Sequence, residues 1–128
     1  MKLFNRSQSI VKKAFFLTII LFSILNLKAQ TQNYVGTSDG DNIKANISWG
    51  SNQSVSGSYF FTANPSRVYK LSGTNYVDGE IEITESFKGK RTGNGTLTKS
   101  MSKGRITWSG YITNVDGSKS YISLTRPR

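Results

Sequence analysis

From residue 33 onward, apolar and polar positions alternate one by one, and turn-forming clusters interrupt them about every 8 to 12 residues. Along Ile43-Lys-Ala-Asn-Ile-Ser48, Ile43, Ala45 and Ile47 fall on one face and Lys44, Asn46 and Ser48 on the other. A period of two is that of a β-strand with one dry face and one wet face; the 3.6-residue period of a helix is absent from this part of the chain. The pattern predicts eight strands, at 33–37, 42–48, 54–61, 67–74, 80–87, 92–98, 105–113 and 120–125. The connections between them carry Gly, Asn or Asp, which tolerate the positive φ of tight hairpins, so sequence neighbours should pair antiparallel. The expectation is an all-β chain: an up-and-down antiparallel meander of about eight strands closing into a small β-barrel.

The parity of the strands names the residues that face inward: Ile43, Ala45, Ile47, Val55, Tyr59, Phe61, Tyr69, Leu71, Ile81, Ile83, Leu97, Ile106, Trp108, Ile112, Ile122 and Leu124. Trp49 reads as part of the turn at 49–52. Glycines recur inside the strands, at Gly57, Gly73, Gly93, Gly95 and Gly110. A strand glycine is costly unless the sheet bends or another backbone comes close, so the repetition predicts a tightly curled wall. Strands of about seven residues would make any barrel shallow.

The first residues break this pattern. Lys2, Arg6, Lys12 and Lys13 precede an apolar run at 14–25, and Leu27-Lys-Ala29 ends it with a small residue. The run is too short to span a bilayer, which takes about 20 residues, and has the form of a secretory signal peptide. The expected organisation is a signal peptide at 1–29 and a single barrel domain at 30–128, with cleavage after Ala29 or Gln30. The expected localisation is therefore secreted, periplasmic or extracellular, with membrane contact only through the uncleaved signal. Removing 29 of the 128 residues takes five of the 17 Lys+Arg and no acid, so the net charge falls from +10 to +5. Half the basicity belongs to targeting.

Composition then excludes chemistry. The chain has no His and no Cys, which removes the thiol nucleophile, the Ser-His pair and the nitrogen and sulfur metal ligands. No phosphate-cradling Gly-rich loop precedes a helix. Seven carboxylates remain. Asp39-Gly-Asp41-Asn42 lacks the further oxygen ligands of a calcium loop and reads as a hairpin turn. Glu80 and Glu82 share an outer face, but Glu85 carries the inward parity of Ile81 and Ile83. It reads as a rim ion pair or as a polar group that orients a ligand. The expectation is a chain that is not an enzyme and has no metal or cofactor.

Two surfaces remain. Lys88, Lys90, Arg91, Lys99, Lys103 and Arg105 flank two consecutive connections, which a meander would send to opposite ends of the barrel. They read as a solvated face or as a contact for an anionic envelope component or protein, with no role in nucleic-acid binding. Phe60 and Tyr111 carry the outward parity and suit either cross-strand pairing or a docking face.

Gly-Ser-Tyr-Phe-Phe at 57–61, Lys-Leu-Ser-Gly-Thr at 70–74, Glu-Ile-Glu-Ile-Thr-Glu at 80–85, Thr-Gly-Asn-Gly-Thr-Leu at 92–97 and Ile-Thr-Trp-Ser-Gly-Tyr at 106–111 together resemble a known pattern. With the closing segment at 116–125, the chain is similar to the small lipocalin-like, calycin-like β-meander domain of secreted bacterial proteins of uncharacterised function. That resemblance implies a barrel and supplies no catalytic or ligand residues. The strands resemble the avidin meander more weakly; avidin barrels hold biotin with several tryptophans, and this chain has only Trp49 and Trp108. The expected function is a secreted binding module for a small apolar or amphipathic ligand, with Tyr59, Tyr69, Trp108 and Glu85 lining a shallow interior. The alternative is an interaction or inhibitor module acting through the basic loops or the aromatic face.

Overall fold

The computed structural model describes residues 30–127; the expected signal peptide at 1–29 lies outside the described residues, as does Arg128. Eight strands run in sequence: β1 (Gln30–Ser38), β2 (Asp41–Trp49), β3 (Ser54–Phe61), β4 (Asn64–Thr74), β5 (Glu80–Phe87), β6 (Lys90–Ser102), β7 (Arg105–Asn114) and β8 (Lys119–Thr125). Each pairs antiparallel with the next, and β8 returns to β1, so the meander closes into a barrel. All eight expected strands are present, and several are longer than expected.

The local reasons are visible at the turns. Asp39-Gly40, Lys88-Gly89 and Lys103-Gly104 are two-residue hairpins in which both residues take positive φ, as in Lys103 at 53° and Gly104 at 76°. That geometry matches the right-handed twist of the flanking strands. It also corrects the expected connection at 99–104, because Ser100, Met101 and Ser102 pair with Thr107, Ile106 and Arg105 and extend β6 to 13 residues. β4 likewise starts three residues earlier than expected. Its register slips between Phe61↔Asn64 and Phe60↔Val68, so Pro65, which has no N–H to donate, sits in the bulge. Trp49 is corrected from the turn to the end of β2, where it pairs with Gln30 and Val55.

The wall glycines let the sheet curl. A Cβ on Gly73 would lie 1.8 Å from the Glu82 carbonyl oxygen of β5, and one on Gly36 would lie 1.8 Å from that of Ser123 in β8. Neighbouring backbones occupy the space a side chain would need, and backbone cannot rotate aside as a long side chain can. The walls have closed together at these points.

The core is a belt of inward aliphatic residues, including Ile43, Ile81, Leu97, Ile112, Ile122 and Leu124, each 1 % exposed or less. Burying one such side chain contributes about 1.5–3 kcal/mol. Aromatic groups lie on either side of this belt, one toward each end of the barrel. The seam between β1 and β8 is short, running only from Val35↔Thr125 to Ser38↔Ile122. The first residues of β1 therefore extend past β8, toward the end that carries both tryptophans.

Candidate functional site

The four residues expected to line one interior do not come together. Tyr59, Tyr69 and Glu85 lie toward the end that carries the β3–β4 and β5–β6 turns, whereas Trp108 lies toward the opposite end. The basic residues divide the same way. Lys88, Lys90 and Arg91 flank the β5–β6 turn, while Lys99, Lys103 and Arg105 belong to the β6–β7 hairpin at the tryptophan end. They form no single patch.

At the Glu85 end the interior around the carboxyl is filled by side chains. Tyr59, Tyr69 and Phe87 are directly paired across β3, β4 and β5. The Tyr59 and Tyr69 rings stack at 5.0 Å, and those of Tyr69 and Phe87 meet at 5.1 Å. Arg67 covers Phe87 at 5.0 Å and Tyr69 at 5.6 Å. Such aromatic and cation–π contacts contribute about 0.5–1.5 kcal/mol each. Beneath them Glu85 is 5 % exposed and both its oxygens are satisfied. Tyr59 Oη donates to Oε2, and Thr92 Oγ1 donates to Oε1 at 2.7 Å. The second bond comes from a register shift in which Glu85 faces Gly93 and Ser86 faces Arg91, leaving Thr92 as the extra residue. Burial raises the Tyr59 hydroxyl pKa well above its ordinary value near 10, and the adjoining Glu85 carboxyl raises it further. A cavity of about 440 Å³ at this end is lined by Gly40, Asp41, Asn42, Phe61, Thr62 and Ala63, and not by Tyr59, Tyr69 or Glu85.

The opposite end is open. Trp49 of β2 and Trp108 of β7 come from strands that are not neighbours in the barrel, and their rings meet across its interior at 5.5 Å. With Tyr34 of β1 and Ile106 of β7 they line a cavity of about 250 Å³. Gln32, Asn75, Asp78, Lys99 and Arg126 complete its lining. The β4–β5 loop that carries Asn75 and Asp78 is fixed by its backbone, with Asn75 N donating to Gln53 O at 2.8 Å and Lys99 N to Gly79 O at 2.8 Å. With its amide nitrogen turned toward the loop, Asn75 also donates to the carbonyls of Glu80 and Val77 at 2.7 and 2.9 Å. The lining of this cavity is therefore pre-formed.

One polar atom here has no partner. Trp108 is 4 % exposed, and its buried indole Nε1–H meets no acceptor in hydrogen-bonding geometry. Leaving such a donor unsatisfied costs about 1–3 kcal/mol, which a native fold rarely sustains without a use. The Tyr34 hydroxyl, which donates to Gln32 Oε1 at 3.0 Å, is the nearest candidate acceptor, but the indole N–H does not reach it in hydrogen-bonding geometry. Burial raises the Tyr34 pKa; the nearby Trp108 and Trp49 N–H groups and the Arg126 charge oppose that rise without cancelling it. Three sources of positive potential thus converge on the Tyr34 hydroxyl.

Tyr34 and Trp49 were not among the expected inward residues, although the period of two contains both. Trp49 continues the parity of Ile43, Ala45 and Ile47, and Tyr34 shares that of Gly36 and Ser38. Reading the turn one residue too early concealed the first. No signal in the sequence places Asn75, Asp78 and Arg126 around one cavity, because each lies beyond a strand end, where parity carries no information.

No protein-family model matches this chain, and neither a curated protein nor a solved structure matches it. The functional reading therefore rests on the geometry of the two barrel ends.

Proposed function

We propose that this protein is a secreted, non-enzymatic binding module of lipocalin-like type that takes a small amphipathic ligand at its tryptophan-lined end. The observation that carries the reading is the buried, unpartnered Trp108 N–H beside a solvent-accessible cavity. A ligand acceptor at that point would remove the cost of the orphan donor. The apolar rings of Trp49, Trp108 and Tyr34 would cover the ligand's hydrophobic face, and the polar groups of the lining would hold its other side. The cavity of about 250 Å³ lies below the roughly 300–1,000 Å³ of sites for drug-sized molecules, which limits the ligand to a small one. Tyr59, Tyr69 and Glu85 act in this reading as the filled base of the barrel.

The exposed rim of the same end supports a second reading. Tyr76, Val77 and Met101 are 68 %, 58 % and 66 % exposed, and they project from the β4–β5 loop and the β6–β7 hairpin. A rim of this kind suits a protein partner that docks over the cavity. Native mass spectrometry of the protein purified from its producing cells tests the first reading. A retained small molecule, lost in Trp108→Phe and kept in Tyr69→Phe, is the expected result. A retained protein, or nothing retained by either form, would favour the rim.

A further inference from the structure

We infer that the tryptophan-lined cavity is a carboxylate site, built for a small ring-bearing monocarboxylic acid whose acid group meets Trp108 Nε1–H and Arg126. This assignment rests on the binding reading above and adds the chemical class of the ligand.

The lining is rich in donors. Trp108 Nε1–H is free of any acceptor, and Lys99 and Arg126 bring two cationic groups to the same cavity. Two competing donors are already engaged: the Tyr34 hydroxyl hydrogen by Gln32 Oε1, and the Asn75 amide nitrogen by two loop carbonyls. Two cationic side chains and an unpaired N–H face a single carboxylate, Asp78, so the group the cavity favours is an anionic one. The planar guanidinium of Arg126 offers parallel N–H groups that match a carboxylate.

Asp78 argues for a monoanion. It is the one carboxylate in the lining, set against two cationic side chains, so the site retains a single positive charge. One negative charge on the ligand balances it, whereas a phosphate would bring about −1.5 to −2. The rings of Trp49 and Trp108, tilted by 40° to one another, present flat apolar surface. A ring on the ligand would use that surface by offset or edge contact.

Both tryptophans of the chain belong to this cavity, so intrinsic tryptophan fluorescence reports on it with no contribution from elsewhere. The experiment titrates the exhaustively dialysed protein with benzoate, benzamide and phenyl phosphate. Saturable quenching by benzoate is expected, with benzamide at least tenfold weaker and phenyl phosphate weaker than benzoate. Arg126→Ala should weaken benzoate at least tenfold, and Arg91→Ala at the Glu85 end should leave it unchanged. Benzamide binding as tightly as benzoate, or phenyl phosphate binding more tightly, overturns the carboxylate assignment and leaves the binding reading intact. An Arg126→Ala titration equal to that of the parent protein overturns it as well. The absence of a saturable response to all three compounds removes both.

Discussion

The two ends of this barrel are built from similar materials and come out in opposite states. Each combines stacked aromatic rings with buried polar atoms. At the Glu85 end the polar atoms satisfy one another, since Tyr59 and Thr92 both donate to one carboxyl group beneath a covering of rings. At the tryptophan end the Trp108 N–H is left over, and a cavity lies beside it. Aromatic content therefore does not distinguish a structural plug from a binding site. The state of the last polar atom does.

The wall between the ends is the most sensitive place to test this, because both depend on it. Gly73→Val would drive a side chain into the Glu82 carbonyl. It should cost about 3 kcal/mol or more and dismantle both ends together in urea denaturation. A variant within about 1 kcal/mol of the parent protein would show that closure does not depend on this contact.

The next effect separates the ends. Glu85→Ala strands the Tyr59 and Thr92 hydroxyls and leaves a void, so we expect a loss of about 2–4 kcal/mol. Trp49 and Trp108 fluorescence should keep its native character at low denaturant, because the change lies beyond the aliphatic belt. A native-state emission shift would mean that the ends are coupled.

Raising the pH gives a graded version of the same test. Burial holds the Tyr59 proton in the folded state, and the unfolded chain releases it above about pH 10. The folded pKa is the higher one, so this stabilisation is complete at neutral pH and declines as pH rises past 10. Each such tyrosine should lower stability by about 1.4 kcal/mol per pH unit in that range. Tyr34 is raised in the same direction, by burial against opposing positive charge. Tyr59→Phe should therefore reduce the alkaline slope in denaturation curves more than Tyr34→Phe does, and the reverse order would contradict the difference between the ends.

The smallest stability effect belongs to Trp108→Phe. It removes the orphan donor, a gain, and part of the ring, a loss, for a net change within about 1 kcal/mol. A ligand site and a structural plug differ on this point, since loss of binding should come with little loss of stability.

The sequence anticipated the wall better than the site. Alternation at Ile43, Ala45 and Ile47, together with Gly-centred turns, carried the eight strands and their order, because period and turn chemistry are local properties. Glu85 was recognisable as an inward acid from its parity with Ile81 and Ile83. Its partner Thr92 was not, since only a register shift turns it toward the interior. Trp108 and Trp49 lie 59 residues apart in sequence, and barrel closure alone makes them neighbours. The β6–β7 hairpin was expected, but β6 was ended four residues early, because the mostly polar Lys99-Ser-Met-Ser102 reads as a loop and only its pairing with β7 makes it strand.

The most direct test of the difference between the ends is the indole N–H spectrum of ¹⁵N-labelled protein, which has two tryptophan signals to follow. Titration with benzoate should move the Trp108 signal saturably, with the downfield proton shift of a newly made hydrogen bond. The backbone amides of Tyr69, Glu85 and Gly93 should stay where they are. An unmoved Trp108 signal, or shifts centred on Glu85, would contradict the account.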